Sequence, residues 1–182
     1  MYISRQLKQQ NIAEYLLYMW QVEDMIRANG FDRDNIRKNI IEAAPSLDEG
    51  QRRELAQWYD DLMEMMRRED VTERGHIQLN KNVILWLTDL HLRLLRSPKF
   101  PYYSAAYYKA LPFIVELRAK GADKSLPEVE TAFDALYGVL LLRLRKKEIS
   151  AATQQAVKQI GDWIALLAGY YQKDKEDRLE FE

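Results

Sequence analysis

The fifteen residues from Ile12 to Ile26 constrain the fold more than any other part of the chain. They read Ile-Ala-Glu-Tyr-Leu-Leu-Tyr-Met-Trp-Gln-Val-Glu-Asp-Met-Ile and contain neither proline nor glycine. At about 100° per residue, Ile12, Tyr15, Leu16, Met19, Val22 and Ile26 share one broad face. Gln6, Gln10, Glu14, Gln21 and Asp24 gather on the other; Leu17 interrupts the polar face and Trp20 widens the apolar one. A helix this apolar needs neighbours on more than one side. It is therefore predicted to be the hub of a helical bundle. Glu23 is the exception, because it falls inside the apolar arc between Met19 and Ile26.

The remaining segments extend the same pattern. The first helix is predicted from near Ser4 to a C-cap at Asn29-Gly30. Asp32 or Asp34 can cap a short second helix carrying Ile36, Ile40 and Ile41, stopped by Pro45. Ser46 and Glu49 have capping-box spacing for a third helix with Leu55, Trp58, Leu62 and Met65. A fourth, from about Leu79 to Arg96, has a seam of Leu79, Val83, Trp86, Leu87, Leu90 and Leu94. Ser104 is expected to open a fifth, kinked or restarted at Pro112 and ended by Gly121. Ser125 and Glu128 form a second capping-box pattern for a sixth helix that reaches Lys147. Ser150 is placed to cap a seventh, running to about Gln172. No stretch alternates with the period of a strand. The fold class expected is all-α, a single-domain bundle of six to seven helices over residues 1–173. Residues 174–182 are expected to be a frayed, charged tail.

Composition narrows the function classes. A chain of 182 residues is long enough for one domain with a real core. Its longest apolar runs fall far short of the ~20 residues of a membrane span, and its first residues carry no signal-peptide pattern. It contains no cysteine, so disulfides, thiolate metal sites and thiol nucleophiles are excluded. These features suit the cytoplasm. Net charge is −1, from 27 basic and 28 acidic residues, which argues against a general grip on nucleic acid. The local exception is a basic run at Arg143, Arg145, Lys146 and Lys147. Its plainer reading is a complement to the negative end of a helix.

Familiar catalytic sets are missing. A di-iron bundle needs two Glu-x-x-His units, and the chain has only two histidines. Glu73 and His76 have the spacing once, but with Gly75 between them in a loop-like segment, so chance is the simpler explanation. No phosphate-binding glycine loop or Gly-x-Ser-x-Gly occurs, and Ser97, Ser104, Ser125 and Ser150 all have cap or breaker roles. No metal and no cofactor is expected. Three features remain. Glu23, His91 and Arg143 lie at or near apolar faces of different helices; they read as a tuned buried acid with its partners or as a register-fixing polar cluster. Phe100, Tyr102, Tyr103, Tyr107 and Tyr108 form a dense aromatic segment, suited to a contact surface or to a lid over the core. Gly161, Ala165 and Gly169 step by four residues along the seventh helix, a ridge for close packing within the bundle or between chains.

Several segments together resemble an uncharacterised bacterial all-helical family, a domain of unknown function. They are Asn11 to Asp24, Leu87 to Leu95 with Ser97-Pro-Lys-Phe-Pro101, Leu111 to Arg118, Leu140 to Leu144 and Lys147-Glu-Ile-Ser150. The resemblance covers most of the chain apart from its tail. It implies a soluble bacterial protein with no assigned activity and supplies no catalytic residues.

The leading expectation is thus a non-enzymatic protein-interaction or assembly module that binds a protein partner or itself. The alternative is a small-ligand carrier or enzyme with a pocket around Glu23, His91 and Arg143. RNA binding through the basic run is a weaker third.

Overall fold

Asn11 ends one helix and starts the next. Its side-chain oxygen accepts the backbone N–H of Ala13, the bond that defines an N-cap. The computed structural model describes residues 2–120 and 125–181, and among them the single first helix expected from Ser4 is two, α1 (Tyr2–Gln10) and α2 (Ile12–Ala28). Asn11 and Glu14 have the spacing of a helix start, and that local signal outweighs the continuous periodicity.

The other boundaries follow capping chemistry. The backbone N–H of Phe31 reaches the carbonyl of Ile26 and that of Gly30 reaches Arg27, with Gly30 left-handed at φ +66°, as the Asn29-Gly30 pair predicts. Asp32 caps α3 (Arg33–Ile36) through the N–H of Asn35, and this helix widens into a π turn over Arg37–Ile41. α4 (Glu49–Arg68) is capped by Asp48 and Gln51, not by Ser46 and Glu49: each side chain bonds the other's backbone N–H, at 2.8 and 3.0 Å. The same spacing recurs two residues downstream, and the downstream pair wins.

α5 (Gln78–Arg96) is followed by α6 (Pro101–Lys120). α6 starts at Pro101 rather than Ser104, because a proline suits the first helical position, where no amide partner is needed. It runs through Pro112 without ending. Pro112 is exposed, so the carbonyl it leaves unbonded lies on the solvent side. The predicted end at Gly121 lies outside the described residues. α7 (Glu128–Leu144) has Pro127 at its N-cap and no side-chain cap, so the Ser125–Glu128 box does not form. α8 (Ala151–Lys175) is capped by Ser150 as predicted.

The described residues therefore hold eight α-helices and no strand, one helix more than the upper expectation. None of these helices is long and apolar enough to cross a membrane.

Contacts divide the chain into two units, Met1–Gln10 with Glu14–Asn82 and Asn11–Ala13 with Val83–Glu182. In the first, α2 buries Tyr15, Leu16, Met19, Trp20, Val22 and Ile26, and α4 buries Leu55, Tyr59, Leu62, Met63 and Met66. In the second, α6 packs most extensively on α8, and α7 packs on both. Ring contacts set the direction: Tyr103 meets Tyr170 at 5.8 Å and Tyr107 meets Trp163 at 5.3 Å, so α6 and α8 are antiparallel. The residues after α8 carry contacts to the end of α5. Ser97 donates to the carbonyl of Phe181, and Arg93 lies 4.4 Å from the Phe181 ring centroid while bonding Asp174 with both terminal nitrogens.

Candidate functional site

The polar residue that broke the apolar arc of α2 is fully buried. Glu23 has no exposed surface, and its carboxylate collects three donors from the segment that leads into α5. His76 Nδ1 lies 2.5 Å from Oε2. The backbone N–H of Ile77 and the side-chain amide of Asn80 donate to Oε1 at 3.0 and 2.8 Å. Ile77 immediately precedes α5, so the carboxylate also sits at the positive end of that helix. The indole of Trp20 stacks on the imidazole, with centroids 4.1 Å apart and planes within 9°. One turn after Glu23, Arg27 donates to the carbonyls of Val71 and Gly75 and pairs with Asp24 at 2.9 Å. Two residues of α2 thus clamp the loop between α4 and α5 by opposite chemistry: Glu23 takes its donors and Arg27 takes its acceptors.

A carboxylate on Nδ1 fixes the tautomer of an imidazole and leaves Nε2 as the working nitrogen. The side chain of His76 is 26% exposed. No serine, threonine or second histidine bonds it, and the described residues hold no group of three or more His, Asp or Glu placed to bind a metal. What this arrangement does is fix the loop and the start of α5.

His91 is buried in the second unit, with Nδ1 2.7 Å from the hydroxyl of Tyr103 and the rings of Tyr107 and Trp163 at 4.7 and 5.2 Å. Burial pushes His91 down to about 4, with the charge of Glu128 pulling the other way. Burial also holds the Tyr103 hydroxyl well above its ordinary range. The pair is therefore neutral at pH 7. Arg143 is exposed in the last turn of α7. Glu23 belongs to the first unit and His91 and Arg143 to the second, where no hydrogen bond or ion pair joins His91 to Arg143 among the described residues.

The aromatic segment splits by side. Phe100, Tyr103 and Tyr107 are buried, whereas Tyr102 and Tyr108 are 84% and 62% exposed. The outward residues continue along α6 as Ala105, Pro112, Val115 (54% exposed) and Ala119, at helical spacing. α6 is thus apolar on both sides, and one side has no neighbour within its unit. On α8, Gly161 packs near Leu136 of α7, while Ala165 and Gly169 are exposed.

A family model described as "Domain of unknown function (DUF4924)" matches residues 1–178. The chain belongs to this family. No curated protein and no solved structure matches it.

For this DUF4924 chain, the residues that sequence reasoning missed are Trp20, His76 and Asn80. Asn80 is buried with its amide on Glu23. His76 has Glu73 three residues away in sequence, whereas the carboxylate it meets lies 53 positions upstream. A fully apolar arc with one acid calls for a donor elsewhere, but no periodicity points to a loop histidine. Trp86, placed in the seam of α5, is 48% exposed.

Proposed function

We propose that this protein is a cytoplasmic, non-enzymatic assembly module that self-associates through the outward face of α6. The observation that carries the reading is the exposed stripe Tyr102, Ala105, Tyr108, Pro112, Val115 and Ala119. Contiguous apolar surface of this kind on a soluble chain marks a contact site, and tyrosines suit one because they bring area with few rotatable bonds.

Charge selects the occupant. Lys109 and Glu116 are both exposed on α6, two helical turns apart. In an antiparallel pair of α6 helices related by a two-fold axis near Pro112, each Lys109 faces Glu116 of the other copy, so the pattern is self-complementary. Glu116 bonds Lys120 within the chain at 2.5 Å, but both are exposed and such pairs rearrange easily. One helical stripe is less than the about 800 Å² per partner of a standard interface, so the dimer should depend on concentration.

Sedimentation equilibrium tests this. Wild type should move from monomer to dimer across the micromolar range. Tyr102→Ser with Tyr108→Ser should remain monomeric with its melting temperature nearly unchanged, because both rings are exposed. Lys109→Glu should weaken the dimer, and adding Glu116→Lys should restore it. A wild-type chain that is monomeric at all concentrations, or a tyrosine double variant that still dimerises, would refute the reading.

A further inference from the structure

The tail beyond α8 turns back onto the end of α5. Asp177 makes the turn in a left-handed conformation, at φ +51°, and the N–H of Arg178 bonds the carbonyl of Lys173 at 2.9 Å. A residue with a Cβ is disfavoured there, so contacts beyond the turn must hold it. Three do. The Phe181 ring lies 5.4 Å from the Phe100 ring and 4.4 Å from the Arg93 guanidinium, centroid distances that suit ring packing and a cation over a ring. The hydroxyl of Ser97 donates to the Phe181 carbonyl at 2.9 Å. Lys99 faces Glu180 at 4.0 Å.

Between turn and anchor the tail is loosely held, with Glu176, Asp177, Arg178 and Glu180 exposed. Its end is therefore seated as a short peptide is: one aromatic, one carbonyl and one acid, each with its own partner. The tail also leaves part of the site unfilled. An open recess of about 310 Å³ lies beside Phe181, lined by Arg93, Arg96, Ser97 and Pro98. Asp174 and Asp89 already engage Arg93. The exposed Arg96 has no hydrogen bond or ion pair among the described residues. Arg96 and Lys99 are thus the cations that an occupant meets.

We propose that the end of α5 is a recognition site for an extended segment of a partner protein in which an acid precedes an aromatic residue, and that the chain's own tail fills this site until the partner binds. The aromatic anchors, as single buried rings do in peptide and protein interfaces, and the acids find Lys99 and Arg96. None of these residues belongs to the outward stripe of α6, so the site and self-association are separable.

The full-length Phe181→Ala variant tests this. Phe181 is half-exposed and lies beyond the end of α8, so helical circular dichroism should be unchanged. A labelled peptide with the sequence of residues 175–182 should bind this variant saturably and one-to-one by fluorescence anisotropy. Wild type should bind it at least about tenfold more weakly, because a tethered competitor acts at roughly millimolar effective concentration. Peptide carrying Phe181→Ala should lose at least about tenfold in affinity. Peptide carrying Glu180→Lys should bind more weakly, by a margin that shrinks in high salt. No saturable binding, equal binding by wild type and variant, or indifference to either peptide change at low salt would overturn the proposal. So would sedimentation in which wild type dimerises and Phe181→Ala does not, which would assign the site to tails exchanged between copies.

Discussion

Replacing Glu23 by alanine should unfold the first unit's bracing more than any surface change can. The variant removes one acceptor from three donors, the N–H of Ile77, the amide of Asn80 and the imidazole of His76. Leaving a buried donor without a partner costs about 1–3 kcal/mol, and two of the three donors, on Ile77 and Asn80, belong to buried residues. Glu23→Ala should therefore lose about 2–6 kcal/mol. Glu23→Gln separates hydrogen bonding from charge. Its amide oxygen can still accept from Ile77 and Asn80, and its amide nitrogen can donate to His76 Nδ1 once the imidazole adopts the other tautomer. That variant should lose only about 1–2 kcal/mol, because no donor is stranded. Urea melts with an unchanged slope would report both values. A loss within about 0.5 kcal/mol for Glu23→Ala, the range of an unremarkable surface site, would refute the burial of the carboxylate. A glutamine variant as unstable as the alanine variant would show that the charge on Glu23, not its acceptor geometry, holds His76.

Two further outcomes follow from single residues. Burial lowers His91 from 6.5 to about 4, so its neutral form contributes full stability above pH 6.5 and progressively less as pH falls toward 4; between pH 7 and pH 4.5 wild type should lose about 2 kcal/mol more than His91→Gln does, and parallel pH profiles from chemical melts would rule this out. Lys146 holds a left-handed backbone at φ +53° just beyond α7, with its N–H bonded to the carbonyl of Arg143. Lys146→Gly should raise stability by up to about 1 kcal/mol by removing the Cβ penalty, and an unchanged or lowered melting temperature would count against strain there.

Legibility in the sequence tracked the range of the interaction. Caps act over three residues, so Asn29-Gly30, Asp32 and Ser150 end or start helices where their side chains or freedom of φ demand it. The misplaced starts were also local. Asn11, Asp48 and Pro101 compete with equally good patterns nearby, and a few tenths of a kcal/mol decide between such neighbours. Glu23 was legible in part: periodicity placed it in the apolar arc, and it is buried. Its donors were not legible, because the loop that supplies His76 and Ile77 has no period to read and meets α2 from more than fifty positions away.

α6 presents the opposite difficulty. Periodicity locates a core face only when the other face is polar, and α6 alternates buried Tyr103, Tyr107, Ala110 and Ile114 with exposed Tyr102, Tyr108 and Val115. Nothing in its own sequence says which side turns inward. The choice is made by α8, whose Trp163 and Tyr170 meet Tyr107 and Tyr103. Once those rings are paired, the Tyr102, Tyr108 and Val115 side must face away, since successive faces of a helix cannot both meet the same neighbour. A tertiary contact thus turns a segment with two apolar faces into one with an inside and an outside, and the outside is the surface proposed for self-association.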